Sequence, residues 1–260
     1  MNILERLAER ARARVVAAGT RVPLKELRER ALALPHGGFA FEEALRKPGL
    51  SFICECKKAS PSKGLIAADF PYLSIAKEYE AAGGDAVSVL TEPSEFLGRD
   101  EYLAEIAGEI SIPCLRKDFT VDAYMIYEAK LLGAKAVLLI CSILSLEQIK
   151  GYIGICDELG LSALVEAHDE AEIRMALAAG GRIIGVNNRN LKDFSVDTGR
   201  SGRLRELVPP EVLFVAESGI RSAADAEEMR RMGADAVLVG EALMRAEDKK
   251  AKLTELRGER

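Results

Sequence analysis

The sequence predicts an α/β fold, a (β/α)8 barrel with an N-terminal helical extension, because one unit recurs along its 260 residues: an amphipathic helix, a glycine, then a short aliphatic strand. Three observations carry this reading. Gly83-Gly-Asp-Ala-Val-Ser-Val-Leu90, Gly133-Ala-Lys-Ala-Val-Leu-Leu-Ile140 and Gly233-Ala-Asp-Ala-Val-Leu-Val-Gly240 are near copies, and Gly160-Leu-Ser-Ala-Leu-Val-Glu166 and Gly180-Gly-Arg-Ile-Ile-Gly-Val186 are looser ones. The strands are continuous apolar runs rather than alternating ones, the pattern of a parallel sheet buried on both faces. Eight such runs alternate with helical patterns between residues 51 and 239, which is the architecture of a TIM barrel. A doubly wound open sheet is the competing fold. It needs fewer strands, and no Gly-x-Gly-x-x-Gly follows the first of them.

Taken in order, strands are expected near 51–57, 85–90, 112–117, 135–140, 161–166, 182–186, 212–217 and 235–239. Tyr72 to Ala82, Ala123 to Leu132, Ala171 to Ala179 and Ala223 to Met232 are amphipathic, and a glycine able to adopt the left-handed conformation ends each. Ahead of the first strand, Leu4 to Ala18 and Leu24 to Leu34 read as helices, Pro35 to Gly38 as a loop and Phe41 to Arg46 as a further helical turn. Residues 1–48 are too short for a domain of their own and are expected to pack on the barrel, so that 1–260 forms a single domain. Ala246 to Arg260 reads as the last barrel helix with a charged tail.

Composition narrows the function classes. Hydrophobic residues make up 48%, enough for a chain of this size to bury about 75% of its unfolded surface. Aromatics are 5% and Trp is absent, which argues for aliphatic, helix-rich packing. The balance of 36 basic and 41 acidic residues gives −5, without the basic patch of a nucleic-acid binder. No apolar run is long enough to span a membrane, and Met1 to Val16 lacks the apolar segment of a secretory signal. Five cysteines (Cys54, Cys56, Cys114, Cys141 and Cys156) lie mostly in apolar runs, as expected of reduced, buried thiols in a cytoplasmic protein, and their spacing offers no metal site.

Charge appears where the strands should be apolar. Barrel active sites sit at the C-terminal ends of the strands, where alternate residues face the centre. The first strand ends Ile53-Cys-Glu-Cys-Lys57, the third Leu115-Arg-Lys117, the fifth Leu164-Val-Glu166 and the seventh Val215-Ala-Glu217, while the sixth runs into Asn187 and Arg189. If Cys54 and Cys56 face the helices, then Glu55, Lys57, Lys117, Glu166 and Glu217 converge on the mouth with Asn187 and Arg189. Such proximity makes acid and base candidates without histidine. Burial lowers the pKa of a lysine and neighbouring carboxylates raise it, so a balance useful near neutrality is expected. His36, in a Pro-His-Gly-Gly turn, and His168, two residues beyond Glu166, read as solvent-facing loop residues. Glu217-Ser-Gly-Ile220 and Val239-Gly-Glu-Ala242 follow strands seven and eight, the usual place for a phosphate in a barrel. Ser60-Pro-Ser-Lys-Gly64 reads as a loop able to close over a ligand.

In combination these segments resemble the indole-3-glycerol phosphate synthase family. Glu55-Cys-Lys-Lys-Ala-Ser-Pro-Ser-Lys-Gly64, Val87-Ser-Val-Leu-Thr-Glu-Pro93, Leu115-Arg-Lys-Asp-Phe119, Ala163-Leu-Val-Glu-Ala-His-Asp169, Ile184-Gly-Val-Asn-Asn-Arg-Asn-Leu191 and Ala216-Glu-Ser-Gly-Ile220 carry the resemblance, which spans nearly the whole chain. It implies ring closure of 1-(2-carboxyphenylamino)-1-deoxyribulose 5-phosphate, with loss of CO2 and water, and no metal or organic cofactor. Lys117 would be the general acid, Glu166 the acid/base partner in dehydration, and Lys57 the holder of the substrate carboxylate and second proton donor. Glu55 and Glu217 would orient the lysines and substrate hydroxyls, and Asn187 would hydrogen-bond the substrate. Ser60, Arg189, Ser218, Gly219, Gly240 and the backbone N–H of Glu241 would surround the phosphate. Phe96, Phe119, Leu138 and Leu191 would form the slot for the anthranilate ring. The implied partner is thus a small phosphorylated substrate, with neither nucleic acid nor membrane, and other tryptophan-pathway enzymes are the macromolecular partners left open. Cys141-Ser-Ile-Leu144 departs from the family pattern. The competing functions are a sister barrel, such as phosphoribosylanthranilate isomerase or the tryptophan synthase α subunit, and a catalytically silent barrel that binds a sugar phosphate or a protein.

Overall fold

A computed structural model describes residues 2–190 and 194–258. Eight parallel strands close into a barrel: β1 (Ser51–Cys56), β2 (Ala86–Leu90), β3 (Cys114–Lys117), β4 (Ala136–Ile140), β5 (Ser162–Ala167), β6 (Ile183–Asn187), β7 (Leu213–Glu217) and β8 (Ala236–Val239). Each lies beside its sequence neighbours, and β1 pairs with both β2 and β8 to shut the ring. This matches the predicted barrel, with strand ends shifted by a residue or two. Side chains alternate as the pleat requires. Phe52, Cys54 and Cys56 pack outward against the helices, while Ile53 joins the interior with Ala86, Leu115, Leu138, Leu164, Ile183, Val215 and Leu238. The five cysteines are all buried as free thiols.

Outside the ring run α4 (Tyr72–Ala81), α5 (Asp100–Glu109), α6 (Ala123–Leu131), α7 (Leu146–Leu159), α8 (Glu170–Ala178), α9 (Gly199–Arg205), α10 (Ala223–Arg231), α11 (Glu241–Arg245) and α12 (Lys249–Arg257). Their starts follow from side-chain caps: Asp122 for α6, Ser145 with Gln148 for α7, Asp169 for α8 and Ser222 with Asp225 for α10. After α6 the chain reverses through Gly133 at φ 86°, so that Ala134 N–H reaches back to the Ala129 carbonyl and the next strand can begin. The short α11 between β8 and the last helix was not expected from the sequence.

The N-terminal segment supplies α1 (Ile3–Gly19), α2 (Leu24–Leu32) and α3 (Ala40–Leu45), and it meets the barrel at both ends. Phe41 and Leu45 of α3 pack into the interior cluster, and Glu42 N–H donates to Ser162 Oγ (3.1 Å) at the start of β5, so α3 closes the floor. Leu7, Ala8 and Ala11 of α1 pack with Phe119, Val121 and Met125 beside the opposite end. There Arg14 forms a fork on Asp118, with Nη1 donating to Oδ2 (3.0 Å) and Nη2 to Oδ1 (2.6 Å). Thr91 Oγ1 and the Phe119 N–H also donate to Asp118, whose side chain has no exposure. The residue on either side of Asp118 is a site candidate, so the extension is tied to the barrel where Lys117 and Phe119 are placed.

Burial works to raise the Asp118 pKa, but Arg14, Arg116 and Thr91 outweigh it and hold the carboxyl below its usual range. A carboxylate with a depressed folded pKa stabilises the fold above its unfolded value of about 3.9, and that stability is lost as pH falls through the folded value. Breaking a fully buried pair costs about 3–5 kcal/mol. Because Arg14 keeps 30% side-chain exposure, Arg14→Ala is expected to cost about 2 kcal/mol at pH 7. In urea unfolding, the gap between the two proteins should narrow below about pH 4. A gap of the same size at all pH values would place the effect in packing rather than in the ion pair.

Candidate active site

The strand register brings the charged residues to one level. Lys117 pairs with Leu90, Glu166 with Ile140, and Glu217 with both Asn187 and Leu238. Lys117, Glu166 and Glu217 take the inward phase of their strands near the C-terminal end, while the outward phase packs on the helices through apolar residues and, on β3, through buried Arg116, which donates to Asp100 and Glu128.

Lys117 is the centre. Its Nζ donates to Glu166 Oε2 (3.0 Å) and to Glu217 Oε2 (2.8 Å), and the three side chains keep 12%, 3% and 2% exposure. Asn187 Nδ2 donates to Glu166 Oε1 (3.4 Å). Beside them Lys57 is ion-paired to Glu55. The electrostatics differ from the expectation of a lysine balanced near neutrality. Burial does work against the Lys117 charge, but Glu166, Glu217 and Glu55 outweigh it and hold the ammonium above its ordinary pKa. The two glutamates part in opposite directions. Burial, the neighbouring Glu166 and Glu55 push Glu217 up to about 7 despite Lys117. For Glu166, burial is overcome by Lys117 and His168, and its pKa is held well below the usual range. The group set near neutrality is therefore a carboxyl rather than an amine.

Above this layer opens a cavity of about 490 Å³. Its lining includes Lys57, Ser60, Phe96, Phe119, Leu138, Arg189, Ser218, Gly219, Gly240 and Glu241. The rings of Phe96 and Phe119 are 6.3 Å apart and form an apolar wall. Phe96 is aimed by buried Glu92, whose carboxylate accepts the N–H groups of Ser94, Glu95 and Phe96. On the opposite rim Ser218 and Gly219 turn the chain with φ 67° and 93°, and a side chain at position 240 would run into Glu55 and Lys57. Lys63, from the loop after β1, reaches Glu241 at 3.4 Å. Arg189 Nη1 donates to the Phe194 carbonyl (3.1 Å). Leu191, expected in the slot, lies outside the described residues.

Comparison with known proteins gives the family. The family model described as indole-3-glycerol phosphate synthase matches residues 4–256. The chain belongs to this family. A synthase of that name from Ruminiclostridium cellulolyticum is 56% identical over 257 residues, covering 98% of this chain and 99% of the relative. One from Lachnoclostridium phytofermentans is 50% identical, covering 98% of each chain. Among solved structures, 3-hexulose-6-phosphate synthase from Salmonella typhimurium aligns with a TM-score of 0.65 at 14% identity over 80% of this chain and 97% of that one, a likeness of fold alone.

Several residues not assigned to the site from the sequence line the cavity or stand beside its charged layer. Ile3, Leu4 and Leu7 of the extension line the cavity, which the amphipathic pattern of α1 could suggest only once its docking face was known. His168, read as solvent-facing, is instead half-buried beside Glu166: its Nε2 lies 3.3 Å from Glu166 Oε1, and its side chain keeps 16% exposure. Gly185 on β6 is also structural to the site. A Cβ there would fall on the Glu217 carboxylate and 3.1 Å from Leu164 Cδ1, so the missing side chain is the space in which Glu217 sits. Gly185→Ala is expected to fold at a cost of about 1–3 kcal/mol. Displacing the carboxylate should lower kcat by about 10²-fold with a smaller change in KM. Steady-state kinetics would check this, and an unchanged kcat would show that the position of Glu217 is not needed.

Proposed function

We propose that the barrel mouth closes 1-(2-carboxyphenylamino)-1-deoxyribulose 5-phosphate to indole-3-glycerol phosphate, releasing CO2 and water, with Lys117 as the acid and Glu166 as the base. The observation that carries this reading is the buried Lys117 ammonium held between two carboxylates beneath an apolar slot. The reaction is that of a carboxy-lyase in tryptophan biosynthesis, as the family assignment gives it.

The steps follow from charge. The ring carbon bearing the carboxylate bonds to the ketose carbonyl carbon, and the carbonyl oxygen gains negative charge. An ammonium in a water-poor site is the group to meet that charge, and Lys117 passes it a proton. The bond to the carboxylate then breaks, CO2 leaves, and its electron pair restores the ring. In the last step the new hydroxyl takes a second proton and departs as water, while a proton leaves the adjacent carbon to Glu166, the carboxylate kept ionised. Lys57, oriented by Glu55, binds the substrate carboxylate until it is lost and is the second proton donor. Glu217 holds Lys117 in line and, with Asn187, receives the substrate hydroxyls.

The remaining lining divides by chemistry. Phe96, Phe119 and Leu138 clamp the anthranilate ring. Ser60, Arg189, Ser218, Gly219, Gly240 and the Glu241 N–H take the phosphate, in the two loops that hold it in barrels generally. Residues 1–48 act as part of the same domain, since α1 completes the wall of the slot.

The absence of Trp makes the test direct, because the protein has no indole emission of its own. Mixing the protein with the substrate should give a rise of indole fluorescence. Lys117→Ala and Glu166→Gln should each lose about 10²–10⁴-fold in turnover while keeping wild-type circular dichroism. Near-full kcat in both variants would overturn these roles, and no rise with the wild-type protein would overturn the reaction.

A further inference from the structure

The two carboxylates on Lys117 are placed alike yet have different surroundings. Glu217 Oε1 is buried with no hydrogen-bond partner among the described residues. Glu166 Oε1 accepts from the Asn187 amide and lies 3.3 Å from His168 Nε2, a charge contact in which Nε2 is itself buried without a hydrogen bond among the described residues. The histidine is itself fixed from behind. Its Nδ1 lies 3.1 Å from Glu172 Oε2, and its backbone N–H donates to the same oxygen (2.8 Å). Glu172 stands in the first turn of α8, where Asp169 accepts its N–H (2.9 Å), and Ser142 Oγ donates to its other oxygen (2.6 Å). Ser142 belongs to the turn after β4.

We infer that His168 is a positioning residue for the reaction: as an imidazolium braced by Glu172, it holds Glu166 and makes it unlike Glu217. The inference rests on the proposed role of Glu166 as base. Its ground is an accounting of donors. Each ring nitrogen faces a carboxylate oxygen, and a carboxylate can only accept. A neutral imidazole would turn a lone pair toward one of them, whichever nitrogen kept the proton. The Ser142 hydroxyl has one proton, already given to Glu172, so it cannot cover Nδ1 (3.3 Å). A doubly protonated ring removes both lone-pair contacts with carboxylate oxygens.

The groups facing the ring are few. Glu166 comes from β5, Glu172 and Asp169 from α8 and its cap, and Ser142 and the Cys141 thiol from the turn after β4, with Lys117 beyond Glu166. Burial opposes the charge, but Glu166 and Glu172 outweigh it and push His168 up to about 10. The consequence for the reaction is a division of labour. When Lys117 swings toward a substrate oxygen, Glu217 loses its cation and can take a proton, while Glu166 keeps one and stays a carboxylate.

The chain has two histidines, and His36 is exposed, so imidazole 15N–1H spectra give one reporter and one internal reference. His168 should stay doubly protonated through pH 8. In Glu166→Gln its midpoint should fall by about one pH unit or more. A His168 midpoint in the ordinary range, or one that Glu166→Gln does not move, would overturn the inference whether or not the protein turns over the proposed substrate. In kinetics, His168→Gln should lower kcat about tenfold with KM within about twofold, and should move the acid limb of kcat/KM up by about one pH unit. A loss of thermal stability without movement of that limb would make His168 structural only and would equally overturn it.

Discussion

The site depends on one buried cation. Lys117 has little access to water, and a lone ammonium there would lose its proton. It keeps the charge because Glu166 and Glu217 meet it at 3.0 and 2.8 Å from two other strands. Three strands far apart in sequence must therefore end at the same height, and the closed barrel with its fixed register is what provides that. A doubly wound sheet would spread the same residues along an edge. The floor plug of α3 packs beneath the layer that carries the charges, and α1 adds apolar wall to the cavity above it.

A cation balanced by two carboxylates has one negative charge to spare. How that charge is shared decides which group gives a proton and which takes one. Symmetry would leave the two glutamates equivalent. The structure breaks it by packing: Gly185 leaves Glu217 a niche in which Oε1 is buried without a hydrogen bond among the described residues, whereas Glu166 is flanked by a histidine and an amide. Pairs of titratable groups pushed apart in pKa are a common mark of assigned acid and base roles. In this barrel the separation comes from neighbours on the same ring of strand ends.

The fold was legible in the sequence because its signals are local. The Gly-strand unit sets both the helix end and the strand start, so boundaries came within a residue or two. The shared face of Glu55 and Lys57 followed from the pleat, and its inward direction from setting Cys54 and Cys56 against the helices, where they are found. What the sequence did not yield depends on distance through space. Arg14 lies 104 positions from Asp118, and no pattern in α1 marks that arginine among its others. His168 reads as a loop residue until α8 folds back and sets Glu172 beside it. Gly185 reads as a weak strand position until the neighbouring strand shows a carboxylate in its place. The short α11 was hidden because five helical residues give no periodicity.

The most direct measurement is the titration of the two inner carboxyls by 13C NMR, with Glu217→Gln and Glu166→Gln to assign the signals. The Glu217 carboxyl is expected to titrate near 7 while the Glu166 carboxyl stays ionised into the acid range. Two midpoints close together near the ordinary glutamate value of about 4.3 would contradict a Lys117 cation shared unequally between them.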